Sequence, residues 1–310
     1  MAYGGAGAGN LSRPMPHFTH DGWRLAYTVY GDGPQTTVLL PGMLLSQRMH
    51  VPLARALADQ GNRVVTFDLL GHGKSERPRD MRCYSMAQFA GQTLALLDHL
   101  EIDEAIVGGT SLGANVTLSL ASVAPQRVRG MVLEMPVLDN ALLGCLIAFT
   151  PLLVGLTFGE RLMQGVQVLA RAVPSESIPF LADVGLDTLR QDPGPSAAVV
   201  QGVLFGSVAP PASERARLEA PALVIGHRRD PVHPFSDADA LARELPNARL
   251  LNANSIIELR LRPDRLTPEI VAFVESCWRP ARARRDRAAR PGRPATGRRA
   301  AARGAARTRG

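Results

Sequence analysis

Ser111 lies between two glycines in the run VGGTSLGAN, residues 107–115, with the spacing Gly109-x-Ser111-x-Gly113. A serine hydroxyl attacks an acyl carbon only when a neighbouring base takes its proton and hydrogen-bond donors meet the oxyanion that forms. The apolar run 105–108 before the serine predicts a buried strand, and residues 112–123 after it predict a helix. That strand–turn–helix setting gives the spacing its chemical meaning, because it projects the serine above a sheet and offers the Leu112 N–H to an oxyanion. A second run, GHRRDPVHP at 226–234, supplies an acid, Asp230, with His227 three residues before it and His233 three after.

These groups need a scaffold. Short apolar runs at 37–40, 64–67, 105–108, 128–133, 222–226 and 249–252 predict strands, preceded by 24–30. Helical spacing covers 49–60, 85–100, 112–123, 237–245 and 268–278. All-apolar strands alternating with helices imply an α/β fold, a mostly parallel sheet covered on both faces. Between about 138 and 206 the alternation breaks in favour of Leu, Ala, Val and Phe, including ALLGCLIAFTPLLVGLTFG at 141–159. That run is long enough to be weighed as a membrane span. Pro151 at its middle and its place inside a sheet-forming chain argue for a helical cap and against a span. The expected organisation is a disordered N-terminus (1–15), a core in two parts (16–137 and 207–278), a helical cap (138–206) and a disordered Arg-rich tail (279–310).

The net charge of +7 divides unevenly. Residues 279–310 hold twelve arginines and one acid, Asp286, which leaves 7 − 11 = −4 for residues 1–278. The tail's low complexity and missing aromatics predict a solvated appendage making salt-sensitive contacts with polyanions, and no specific nucleic-acid partner. Cys83, Cys145 and Cys277 show no metal-ligand spacing and read as free thiols of a reducing compartment. No signal peptide is recognisable at the N-terminus, so a cytoplasmic location is expected. No metal or organic cofactor is implied, and the expected partner is a small apolar substrate or ligand.

Together with three further segments, the serine run resembles the α/β-hydrolase family. VLLPGM (38–43) looks like that family's strand and oxyanion loop, and the resemblance makes the Met43 N–H a second oxyanion donor beside Leu112. DLLGHGKSERP (68–78) looks like the loop after the fourth strand, where the resemblance makes His72 structural. The 226–234 run looks like the loop that carries the acid, which falls on Asp230. The resemblance covers about residues 16–278 and implies a hydrolase of small apolar esters or related acyl compounds, with Ser111 as nucleophile.

One part of the pattern is missing. The family's histidine belongs in the loop after the last strand, which here reads LLNANSIIELRLRPDRLTPEI (250–270) and contains none, with Ser255 at the expected place. Loss of that base alone costs about 10⁶ in turnover in a well-studied serine protease. Three readings follow. The base has moved, with His233 taken as the substitute and His227 as the alternative; or Ser111 acts without a histidine; or the site is inert and binds an apolar ligand, with Asn254 and Ser255 meeting its polar group. The alternating Glu258, Arg260 and Arg262 predict a solvated face, although in an extended segment the two arginines would share a side and meet a carboxylate.

Overall fold

The computed structural model describes residues 15–279 except 176, 177 and 231. The expected disordered segments therefore lie outside the described residues, apart from Met15 and Arg279.

Among the described residues eight strands form one sheet in the order β1-β2-β4-β3-β5-β6-β7-β8. The strands are β1 (His17–His20), β2 (Trp23–Tyr30), β3 (Thr36–Leu40), β4 (Arg63–Phe67), β5 (Ala105–Thr110), β6 (Val128–Glu134), β7 (Ala222–His227) and β8 (Ala248–Ala253). β1 and β2 pair antiparallel with each other and β2 antiparallel with β4, while every later pairing is parallel. This is the mostly parallel α/β sheet that the apolar strands require. β1 is an addition, because four residues ending at the Asp21-Gly22 turn carry too little pattern to be read from sequence alone.

Successive side chains of the central strands enter opposite cores, as a strand's period of two demands. Val38, Val65, Val107, Leu133 and Val224 belong to one cluster; Leu39, Val64, Ile106, Val132 and Leu223 belong to the other. The helices α1 (Val51–Ala58), α2 (Met86–His99) and α3 (Leu112–Val123) follow β3, β4 and β5 in the chain. α1 covers the second cluster, while α2 and α3 cover the first. The N-cap of α2 is Ser85, whose hydroxyl accepts the Gln88 N–H.

Between β6 and β7 the chain builds α4 (Ala141–Phe158), α5 (Glu160–Ala172), α6 (Phe180–Leu189), α7 (Pro193–Leu204) and the single turn α8 (Ala212–Arg215). α9 (Phe235–Glu244), α10 (Glu258–Leu261) and α11 (Leu266–Trp278) complete the body, with α11 on the second cluster.

Two buried side chains fix where the excursion leaves and rejoins the sheet. Asn115 on α3 donates to the carbonyls of Val137 (2.7 Å) and Val208 (2.6 Å) and accepts the Val137 N–H (3.0 Å). Asp237 on α9 accepts the N–H groups of Leu138, Asn140 and Ala141, and so anchors the first turn of α4.

Candidate active site

Ser111 occupies the single residue between β5 and α3, with φ +53° and ψ −109°. A left-handed backbone at a residue bearing a Cβ costs of order 1 kcal/mol and persists only where the surroundings enforce it. Here the Ser111 N–H donates to the Glu134 carbonyl at the end of β6 (2.8 Å). The flanking glycines are required by close approach. A Cβ on Gly109 would lie 2.6 Å from the Leu40 carbonyl oxygen, and one on Gly113 only 2.3 Å from it. Any side chain at either position would push α3 off β3.

Asp230 and His233 come from the one loop between β7 and α9. Asp230 Oδ1 accepts the N–H groups of Val232 (2.8 Å) and His233 (2.9 Å), folding the loop back on the carboxylate. Its Oδ2 meets His233 Nδ1 at 2.8 Å, and His233 Nε2 lies 2.8 Å from Ser111 Oγ. A carboxylate only accepts, so the imidazole proton sits on Nδ1 and Nε2 is left to accept from the serine hydroxyl. The Asp230 side chain is 3% exposed. Burial alone would raise its pKa, but the bonds from the His233 ring and from the two N–H groups outweigh that and hold the carboxyl below its usual range.

His227 is placed elsewhere. Its side chain is fully buried, Nδ1 donates to the Ser255 carbonyl (2.7 Å), and Nε2 faces Glu134 at 3.5 Å. Asn254 and Ser255 are exposed and line neither cavity at Ser111, so the reading that gave them a ligand's polar group is not supported by their position.

Arg260 corrects another expectation. Residues 258–261 form a helical turn, and it directs Arg260 inward, where the side chain is 7% exposed. Its guanidinium donates to both carboxylate oxygens of Glu134 and to Thr110 Oγ (2.6 Å), while Thr110 donates to Glu134 (2.5 Å). Burial pushes the Glu134 carboxyl up, yet the Arg260 charge prevails and holds it far below the carboxylate range. Only Arg262 of the alternating trio is solvated, since Glu258 is buried and binds Arg265 (2.7 Å). The bidentate pair thus braces the end of β6 against Thr110, the residue preceding the serine. Sequence reasoning gave neither Glu134 nor Asn115 a role. The signal available was an acid closing the apolar run of β6 and an amide four residues after the serine.

Two cavities meet at Ser111, Met43 and Phe149. One, about 260 Å³, is lined by Met86, Leu112, Val137 and Val203, with Leu142, Cys145 and Leu146 of α4. Burial pushes the Cys145 thiol up to about 11, so it is an inert apolar wall. The other, about 310 Å³, adds Asp230, His233, Arg260, Leu181, Ile256 and Ile257. Met43 and Leu112 both face the first cavity beside Ser111. Leu112 opens α3, so its N–H has no intrahelical acceptor. His72 lies away from both cavities, buried, with Nδ1 on the Leu70 carbonyl (2.9 Å) and its pKa lowered to about 4 by burial. Among the described residues no group of three His, Cys, Asp or Glu is placed to hold a metal ion.

The strand order and the helices around it define a fold class, and comparison with known proteins agrees on that fold. Residues 37–146 match the model of the alpha/beta hydrolase fold and residues 200–256 that of TAP-like protein. The chain belongs to the α/β-hydrolase fold family.

Among its relatives is the dihydrolipoyllysine-residue acetyltransferase component of the acetoin cleaving system of Pseudomonas putida. It is 34% identical over 127 residues, 40% of this chain and 34% of that protein. Epoxide hydrolase B of Mycobacterium tuberculosis is 32% identical over 132 residues, 42% of this chain and 34% of that protein. The matches thus span about a third of each relative's length. The enol-lactonase of Burkholderia xenovorans LB400 has the same fold, with a TM-score of 0.69 at 23% identity, over 84% of this chain and 100% of that one.

Proposed function

We propose that this protein is a serine hydrolase of small, apolar esters or related acyl compounds. The observation that carries the proposal is the continuous path from Ser111 Oγ to His233 Nε2 and from His233 Nδ1 to Asp230, each step 2.8 Å. In this reading His233 takes the Ser111 proton as the oxygen attacks the acyl carbon, and Asp230 stabilises the imidazolium. The Met43 and Leu112 N–H groups receive the oxyanion. His233 then returns its proton to the leaving group, and the same ring activates the water that releases the acyl chain. The base has moved from the loop after β8 to the loop after β7, where one turn supplies both acid and base.

Substrate class follows from the walls. The first cavity has no charged lining residue, which suits an alkyl or acyl chain, and the second, next to His233, suits the leaving group. Small p-nitrophenyl esters from acetate to decanoate test the proposal. Saturable turnover that rises with chain length and then falls, and that Ser111→Ala removes, is expected. No turnover above buffer with any chain length overturns it.

A further inference from the structure

α4 presents a face that a helix surrounded by water does not ordinarily carry. Its 18 residues include no charged side chain, and few of them are buried. Ala141, Cys145 and Leu156 turn inward. On the opposite side Leu143, Ile147, Val154 and Phe158 follow one another at helical spacing; Leu143 and Ile147 are each 67% exposed and Phe158 86%. α5, the next helix in the chain, also exposes Leu162 (70%) and Leu169 (72%). An amphipathic helix of a soluble domain puts polar residues on that side, and a contiguous apolar surface marks an interaction site.

We propose that the outward faces of α4 and α5 dock this protein on an anionic lipid surface, lying in its interface and not crossing it. A crossing is opposed by the inward contacts of α4 and by Asp237, which ties its first turn to α9. A lipid surface is favoured over a second copy of the chain by two features. Leu142 and Leu146 line the cavity at Ser111 and are also exposed outward, so they form its rim. A protein seated there would seal the cavity, whereas a lipid phase would feed it. The sequence after Trp278 carries a net charge of +11, which attracts anionic headgroups, and the +7 of the whole chain disfavours a second copy of like net charge. An apolar helix face with a polybasic segment is the pairing of two weak signals that gives stable peripheral attachment. The inference does not depend on the hydrolase reading.

Co-sedimentation of the full chain with phosphatidylcholine vesicles, with and without phosphatidylglycerol, tests it. The comparison is wild type against Leu143→Asp/Ile147→Asp, two exposed positions that line neither cavity. Wild type is expected to partition into the anionic vesicles, less so at high salt, and the double variant to lose at least about tenfold in partition coefficient. Three results overturn the proposal. Wild type fails to bind either vesicle; or the double variant binds like wild type, so that the arginines alone act on any polyanion; or the wild type is a dimer that the aspartates dissociate. Short-ester hydrolysis is followed in parallel. Its absence alongside vesicle binding would sink the hydrolase reading and leave the docking surface standing.

Discussion

Asp230→Asn separates the two tasks of one carboxylate. Oδ1 holds the loop through the Val232 and His233 N–H groups, and Oδ2 holds the proton of His233 on Nδ1. An asparagine keeps the first task with its carbonyl oxygen. Its amide, however, donates to Nδ1, which places the imidazole proton on Nε2, facing Ser111 Oγ. The ring then turns an N–H and no lone pair toward Ser111, so it cannot accept the serine proton. The same exchange in a serine protease costs about 10⁴ in kcat, about 5.5 kcal/mol of transition-state stabilisation. The expectation here is a loss of kcat on p-nitrophenyl butyrate of about that size, with KM within about threefold. Because the loop bonds survive, the midpoint of thermal unfolding should move by no more than a few degrees. A variant that keeps more than about a tenth of wild-type kcat would refute the reasoning, since wrong-tautomer chemistry should cost far more.

Arg260→Met strands the Glu134 carboxylate in the core, and breaking a buried pair in this way costs about 3–5 kcal/mol. The deficit should be visible in urea unfolding at pH 7, shrink in acid as Glu134 protonates, and be largely restored by adding Glu134→Gln. A loss under about 1 kcal/mol would show the pair to be incidental. Asn115→Ala removes the side-chain partner of the buried Val137 N–H and carbonyl and of the partly buried Val208 carbonyl. It should cost about 3 kcal/mol and hasten limited proteolysis within residues 138–206. His50 and His72 are buried with pKa values lowered from 6.5 to about 4. Their unfolded forms take up protons first, so stability is full above about pH 6.5 and declines as pH falls toward 4, by on the order of 3 kcal/mol each. Unfolding free energies that stay level between pH 7 and 4 would contradict this.

The fold was readable because its strands are apolar throughout and its helices periodic; Leu112–Val123 emerges with the bounds the pattern predicts. β1 was not readable, since its pairing with β2 depends on a turn at Asp21-Gly22 and on tertiary contacts of Phe18. Ser111 and Asp230 stand at positions that local context marks, a turn between a strand and a helix and a loop after a buried strand. Spacing alone does not separate His227 from His233, the residue taken as the substitute base. Each lies three residues from Asp230, but β7 runs through His227, so its side chain enters the core toward Glu134. Only His233, beyond the strand, is free to turn back over the carboxylate. Arg260 was misread because alternation suggests an extended segment, whereas a single helical turn carries the guanidinium inward to an acid 126 residues earlier. Contacts across that separation leave no local trace.

The central claim is that His233 supplies the base missing from the loop after β8. The rate of covalent labelling by a fluorophosphonate reads it without knowledge of the substrate. Wild type should label, Ser111→Ala should not, His233→Ala should label about 10³-fold more slowly or less, and His227→Gln should label like wild type. An unlabelled wild type, or labelling indifferent to His233→Ala, would contradict the account.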